Sequence, residues 1–220
     1  MNPTNHPISV VLVEDHRMFR EWLGHMITAA GDLAVVGETD NIADALDLIK
    51  KVQPDIAIVD LTLRGSSGLE LIKNLKAHGL EVPVLVLSMH DEELYAERVL
   101  RAGAKGYICK NEASSTVGAA IRRVLSGEIY LNEKMTARML STLSSSSPRA
   151  SVGMEVLADR ELEVFQLIGK GYNMPKIAEQ LRLGETTVGT YRARIKEKLQ
   201  IKTSAELYIR AAQWVHESGA

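Results

Sequence analysis

The sequence predicts two units of different class: an α/β unit on a doubly wound, five-stranded parallel sheet, then an all-α unit of four helices containing a helix-turn-helix. Three observations lead there. Short apolar runs alternate with amphipathic segments of roughly ten to fifteen residues up to residue 126, the rhythm of parallel βαβ units. Several of those runs end in a polar or charged residue, as strands do at the carboxyl edge of an open sheet. From Leu157 onward the apolar residues recur only at helical spacing.

The first strand is Ile8 to Val13, running into Glu14 and Asp15. Leu33 to Glu38 is a weaker strand. Ile56 to Val59 is a third, bounded by Pro54 before and by Gly65 and Gly68 after, and it ends in Asp60. Continuous β-branched runs of this kind suit strands buried on both faces. Val84 to Leu87 ends in Ser88, and Gly106 to Cys109 ends in Lys110.

Between them, a first helix over His16 to Ala30 turns Met18, Leu23, Met26 and Ile27 inward. Asp40 or Asn41 caps a second, with Ala45, Leu46 and Ile49 toward the sheet. Gly68 opens a third, with Leu69, Ile72 and Leu75 inward, which ends near Gly79. Asp91 caps a fourth carrying Leu94, Val99 and Leu100. Ser114 caps a fifth carrying Val117, Ala120, Ile121 and Val124.

Residues 127–156 form the join. Leu131 to Leu143 can make an amphipathic helix, but Ser144 to Ser147 followed by Pro148 reads as a flexible tether. In the second unit (157–220), Asp159 caps a helix of Leu162, Val164, Phe165, Leu167 and Ile168, ended by Gly169 and Gly171. Asn173 starts a short helix with Ile177, Ala178 and Leu181, closed by a turn at Leu183-Gly184. The next helix begins at Glu185 and lines up Val188, Tyr191, Ile195 and Leu199. Ser204 caps the last, with Leu207, Ile209, Ala212 and Trp214.

Composition excludes several classes. No apolar run approaches the roughly 18 residues a membrane span needs, and mean hydropathy is −0.04. Met1 to Pro7 lacks the layout of a signal peptide, and the single cysteine, Cys109, permits no internal disulfide; both point to the cytoplasm. Cys109 reads as a small buried hydrophobe. The net charge of −2 hides an asymmetry: residues 1–126 carry 13 Lys and Arg against 17 Asp and Glu, whereas Arg192, Arg194, Lys196, Lys198 and Lys202 face only Glu197 over 192–202. The acids Glu155, Asp159, Glu161 and Glu163 stand at the other end of that second unit, which leaves one basic surface.

The strand ends form a chemical set. Glu14, Asp15 and Asp60 can hold a hard divalent cation such as Mg²⁺ through oxygen. Asp60 is then a nucleophile toward a phosphoryl group, Ser88 a hydrogen-bond donor to its oxygens, and Lys110 a point charge opposite the metal. Thr62 and His90 border the same loops. The remaining histidines, His16 among them, show no metal-ligand spacing and read as structural or solvated. In the second unit, two helices joined by a short turn suit DNA binding. Thr186, Thr187, Thr190, Ala193 and Arg194 face outward near base edges, while Lys176, Arg192, Lys198 and Lys202 supply positive charge for phosphates.

Four motifs in order, Val13-Glu14-Asp15, Val59-Asp60, Leu87-Ser88 and Tyr107-Ile108-Cys109-Lys110, resemble the receiver domain of two-component response regulators over residues 8–126. Leu157-Ala158-Asp159-Arg160-Glu161-Leu162, Lys176-Ile177-Ala178 and Thr187-Val188-Gly189-Thr190-Tyr191 resemble a LuxR-type output domain, and together the two match the NarL/FixJ type. The resemblance implies a flavodoxin-like receiver and phosphorylation of Asp60 by a sensor histidine kinase. It also implies Mg²⁺ on Glu14, Asp15, Asp60 and the backbone carbonyl near Thr62, a Ser88–Tyr107 switch, and a homodimer on promoter DNA. Tyr107 by itself reads as a sheet-edge aromatic. The sequence departs from the family pattern at Leu63-Arg64, Asn111, Gly189 and Tyr191. Gly189 removes a contact and costs about 1 kcal/mol of helix propensity relative to Ala.

Two rivals stand beside this reading. A phosphatase or phosphotransferase of the haloacid-dehalogenase kind wants a second acid where Thr62 stands, so no enzyme is expected. The other is a DNA-binding regulator with a receiver-like domain that works without phosphorylation.

Overall fold

The computed structural model describes residues 6–63, 66–89, 92–144 and 154–218. It divides into two compact units, Met1–Arg138 and Met139–Ala220.

The first unit is a five-stranded parallel sheet of β1 (Ile8–Val13), β2 (Leu33–Thr39), β3 (Ile56–Asp60), β4 (Val84–Ser88) and β5 (Gly106–Cys109), in the order β2-β1-β3-β4-β5. Every residue of β3 and β4 is buried, as the unbroken apolar runs require. Five helices connect and flank the strands: α1 (Arg17–Thr28), α2 (Ile42–Val52), α3 (Gly68–Ala77), α4 (Glu92–Ala102) and α5 (Ala113–Leu125). One side of the core joins Val10, Leu12 and Ile58 of the sheet to Leu23 and Ile27 of α1 and Ile121 of α5. Beyond α5, Tyr130 lies along β5: its carbonyl accepts from Tyr107 N at 2.9 Å and its N–H donates to Lys105 O at 2.9 Å. That segment covers part of an otherwise open sheet edge.

Asn41 caps α2, accepting from Asp44 N at 2.9 Å. Ser114 does not cap α5, because a 3-10 turn over Lys110–Glu112 runs straight into the helix and starts it earlier. Met18 is 85% exposed rather than buried, since α1 turns only Leu23 and Ile27 fully inward. Asp91, His90, Arg64, Gly65, the Leu94 side chain and the Ser145–Pro148 tether lie outside the described residues.

A further helix, α6 (Glu133–Ser144), begins within the first unit and runs past its last residue, Arg138; Asn132 accepts from Met135 N at 2.8 Å at its start. The second unit contains α7 (Asp159–Gly169), α8 (Met174–Leu181), α9 (Glu185–Lys198) and α10 (Ser204–Ser218). Helix α7 is its centre, with Leu162, Val164, Phe165 and Ile168 all buried. Asp159 is the first helical residue, not the cap; Glu161 instead accepts from Ala158 N at 2.8 Å. Gly169 permits α10 to approach, because a Cβ there would lie 2.4 Å from the Ala211 carbonyl oxygen. Consequently Leu207, Ala211 and Trp214 of α10 are buried, Leu207 and Trp214 as expected, while Ala212 is exposed and Ile209 is 59% exposed, against the expectation for those two. Thr203, not Ser204, caps that helix, accepting from Glu206 N at 3.1 Å. The α8–α9 turn takes its left-handed residue at Arg182 (φ 53°), so Gly184 serves as an ordinary extended N-cap.

Candidate functional site

The carboxyl ends of β1, β3, β4 and β5 converge. Glu14 and Asp15 follow β1 directly, Asp60 closes β3, Ser88 closes β4, and Lys110 follows β5. The registers fix their level: Asp60 pairs with Leu87, and Ser88 with Cys109. All five side chains are buried, between 0 and 8% exposed. The Lys110 ammonium bridges two carboxylates, 2.6 Å from Glu14 Oε2 and 2.8 Å from Asp60 Oδ2. Asp60 Oδ1 accepts from Thr62 N at 3.2 Å. Tyr107 is wholly buried within the sheet's outer strand, so its ring points into the protein rather than to solvent.

Supporting contacts hold the acids in place. Glu14 N donates to Thr39 O at 3.0 Å, Arg20 Nη1 donates to the Glu14 carbonyl, and Arg20 Nε stands 3.3 Å from Glu38 Oε2. His16, which by sequence reads as structural or solvated, belongs here too. Its Nδ1 is 3.1 Å from Asp15 Oδ1 and 3.2 Å from Glu14 Oε1, and its N–H donates to Glu14 Oε1 at 2.9 Å. Adjacency to the acid pair was the only available signal, and it does not resemble metal-ligand spacing along a helix. One ligand atom each from Glu14, Asp15, His16 and Asp60 lies within 4.8 Å of the others.

Electrostatics define what this pocket can take. Burial pushes the Asp60 carboxyl up to about 7; the Lys110 ammonium pulls it down and the Glu14 carboxylate pushes it up. Three carboxylates against one ammonium leave two uncompensated negative charges when all are ionised. That is the charge of a divalent cation, and an oxygen-rich set fits a hard one. A cation held there would favour the ionised form of Asp60.

In the second unit α9 carries the outward face expected of it. Val188 and Ile195 are buried, while Thr186, Thr187, Thr190, Ala193 and Arg194 are exposed, as are Lys176 and Lys202. Two candidate contacts are engaged internally. Arg192 Nη1 lies 2.9 Å from Met174 Sδ, with its guanidinium 5.6 Å from the Tyr208 ring centroid. Lys198 Nζ is 2.6 Å from Glu161 Oε2. The acids of α7 thus do not stand apart from the basic helix, because α7 packs against α9 and brings Glu161 to its end. Gly189 meets nothing within 4 Å of a built Cβ. Gly189→Ala should therefore raise stability by about 1 kcal/mol in urea denaturation.

A buried ion pair gives the same unit a pH dependence. Arg160 Nη1 and Glu163 Oε2 are 2.6 Å apart, both buried. Burial raises the Glu163 carboxyl to about 7, with Arg160 opposing. A folded value above the unfolded 4.5 stabilises the protonated form, so that stability is complete below pH 4.5 and is lost as pH rises through 7. Thermal melts from pH 5 to 8 should show the fall in the wild type and a flatter curve in Glu163→Gln.

The family described as "Response regulator receiver domain" matches residues 10–122, and "Bacterial regulatory proteins, luxR family" matches residues 155–211. The transcriptional regulatory protein DesR of Bacillus subtilis is 34% identical over 207 residues, covering 94% of this chain and 97% of that protein. The oxygen regulatory protein NreC of Staphylococcus carnosus is 33% identical over 208 residues, covering 91% and 94%. A solved two-component response regulator of the LuxR family from Aurantimonas sp. SI85-9A1 superposes with a TM-score of 0.59 at 27% identity, over 63% of this chain and 99% of the other.

Proposed function

The chain belongs to the two-component response regulators that join a receiver domain to a LuxR-type DNA-binding domain, and from that premise we propose that Asp60 is its phosphoacceptor. In this reading a sensor histidine kinase is the donor and promoter DNA the target. Residues 1–126 receive the phosphoryl group, 127–156 connect, and 157–220 bind DNA in the cytoplasm. The observation that carries it is the Lys110 ammonium 2.8 Å from Asp60 Oδ2 in a pocket of buried acids.

The step balances simply. An Asp60 carboxylate oxygen attacks phosphorus as the P–N bond of the kinase phosphohistidine breaks; the electron pair returns to the imidazole, which takes up a proton. Mg²⁺ held by Glu14, Asp15, Asp60 and the backbone carbonyl near Thr62 would neutralise charge on the phosphoryl oxygens. Lys110 offers its ammonium to one of those oxygens, and the Ser88 hydroxyl donates to another. The acyl phosphate carries roughly two negative charges. Ser88 and Tyr107 respond, and a monomer–dimer equilibrium shifts. The exposed Tyr208 and Ala212 on α10 suit a contact between two output domains. Two α9 helices would then sit about 34 Å apart for successive major grooves.

DNA contact falls to Thr186, Thr187, Thr190, Ala193 and Arg194 at base edges, with Lys176 and Lys202 on phosphates. Footprinting on genomic DNA with wild type and Asp60→Ala tests the whole reading. Phosphorylation-dependent protection that disappears in Asp60→Ala supports it. Equal protection with both would favour the regulator that works without phosphorylation.

A further inference from the structure

The phosphoryl-site lysine has a third neighbour that is not an acid. Besides Glu14 and Asp60, the Lys110 ammonium stands over the Phe19 ring, 4.6 Å from its centroid. Phe19 lies on α1 and packs against the sheet core, so its ring is held by apolar neighbours. It pairs in turn with Trp22, one helical turn on, with centroids 5.2 Å apart and planes tilted by 40°. Trp22 is 36% exposed on the outer side of α1. A chain of direct contacts therefore runs from Asp60 through Lys110 and Phe19 to the protein surface.

We propose that Phe19 is a positioning residue for Lys110, and that the Phe19–Trp22 ring pair carries the charge state of the pocket to the surface of α1. This rests on Asp60 being the phosphoacceptor. A lysine stem has several rotamers, and two acceptors alone leave the ammonium free to pivot about them. The negative face of the ring closes another side, and a desolvated cation is where that attraction is largest. Addition of a phosphoryl group brings new charge beyond the Asp60 oxygen. The ammonium follows it and withdraws from the ring, and Phe19 repacks against Trp22. Leu at position 19 would fill much of the volume but offers no π face; Tyr would keep the face.

The chain has two tryptophans, and the second, Trp214, belongs to the other unit. In a full-length Trp214→Phe chain the emission of Trp22 is thus read alone. Phosphoramidate with Mg²⁺ is the probe, with acyl phosphate followed by intact-protein mass spectrometry. In that parent, emission should shift in step with acyl phosphate. Adding Phe19→Leu should slow phosphorylation about tenfold, because a loosely held ammonium is misplaced for the incoming phosphoryl group, and silence the emission change. Phe19→Tyr should restore both. Acyl phosphate forming in the parent without any change in Trp22 emission overturns the inference, and this needs no substitution at Phe19. So does a Phe19→Leu chain that phosphorylates at the parent rate. A parent that forms no acyl phosphate overturns the assignment of Asp60 itself.

Discussion

Asp60→Asn should carry no acyl phosphate under any donor and, in a chelator at pH 8, should be more stable than wild type by about 2 kcal/mol. The first half follows from the loss of the nucleophilic oxygen. The second follows from a crowded pocket, in which three buried carboxylates lie together and Glu14 and Asp60 share one ammonium. The folded Asp60 carboxyl titrates at about 7 against an unfolded 3.8, so the fold favours its protonated form. That stability is whole below pH 3.8 and lost as pH rises through 7. The difference between those two values corresponds to about 4 kcal/mol at most, and relaxation of the pocket reduces it to about half. Asn is neutral at every pH, so the gap between variant and wild type should widen from pH 5 to pH 8. Urea denaturation at the two pH values measures it, and equal gaps would remove the electrostatic account. Adding Mg²⁺ should stabilise wild type more than Asp60→Asn, since a cation held as proposed would bind the folded state through the carboxylate the variant lacks.

Gly68→Ala should destabilise the receiver unit by about 3 kcal/mol and displace the loop beneath Asp60. Gly68 opens α3, and its N–H donates to Leu61 O at 2.8 Å. A Cβ built there would lie 2.1 Å from the Asp60 carbonyl oxygen and 2.9 Å from its carbonyl carbon. Both are backbone atoms of the last residue of β3, which β1 and β4 hold on either side. No rotamer change relieves that contact. Either α3 retreats or Asp60 moves relative to Lys110. Thermal melts should show a drop of roughly 10 °C, and phosphorylation should slow even where the unit remains folded. A variant with wild-type melting and phosphorylation would show that the α3 start can shift without cost. Gly189→Ala is the internal contrast, since the same substitution there meets open space.

Most of this protein was legible along the chain. The β-branched runs from Ile8, Ile56 and Val84 had one reasonable structure, and each ended at a residue whose chemistry needed company. The alternation of runs with amphipathic segments implied a parallel sheet, and a parallel sheet implied a shared carboxyl edge. Glu14, Asp15, Asp60, Ser88 and Lys110 follow from those local facts. Less legible were the inward faces of the helices. Apolar periodicity cannot say whether Met18 or Ile209 meets a neighbour, and both lie open to solvent. Helix starts were less legible too: Asp159 and Ser114 read as caps yet lie inside their helices, because a cap depends on where the preceding backbone turns.

By itself, then, the sequence determined the elements, their order and the residue types at each strand end, since periodicity and turn chemistry are properties of neighbouring residues. The tertiary structure decided which of those groups share atoms. The order β2-β1-β3-β4-β5 puts β1 beside β3, so Glu14 and Asp60 can reach one ammonium. Packing of α1 on that sheet seats His16 against two acids and Phe19 over Lys110, and in the other unit packing of α7 on α9 seats Glu161 against Lys198. Contacts of a few ångströms between residues far apart in the chain arise from register and packing, which no local pattern encodes.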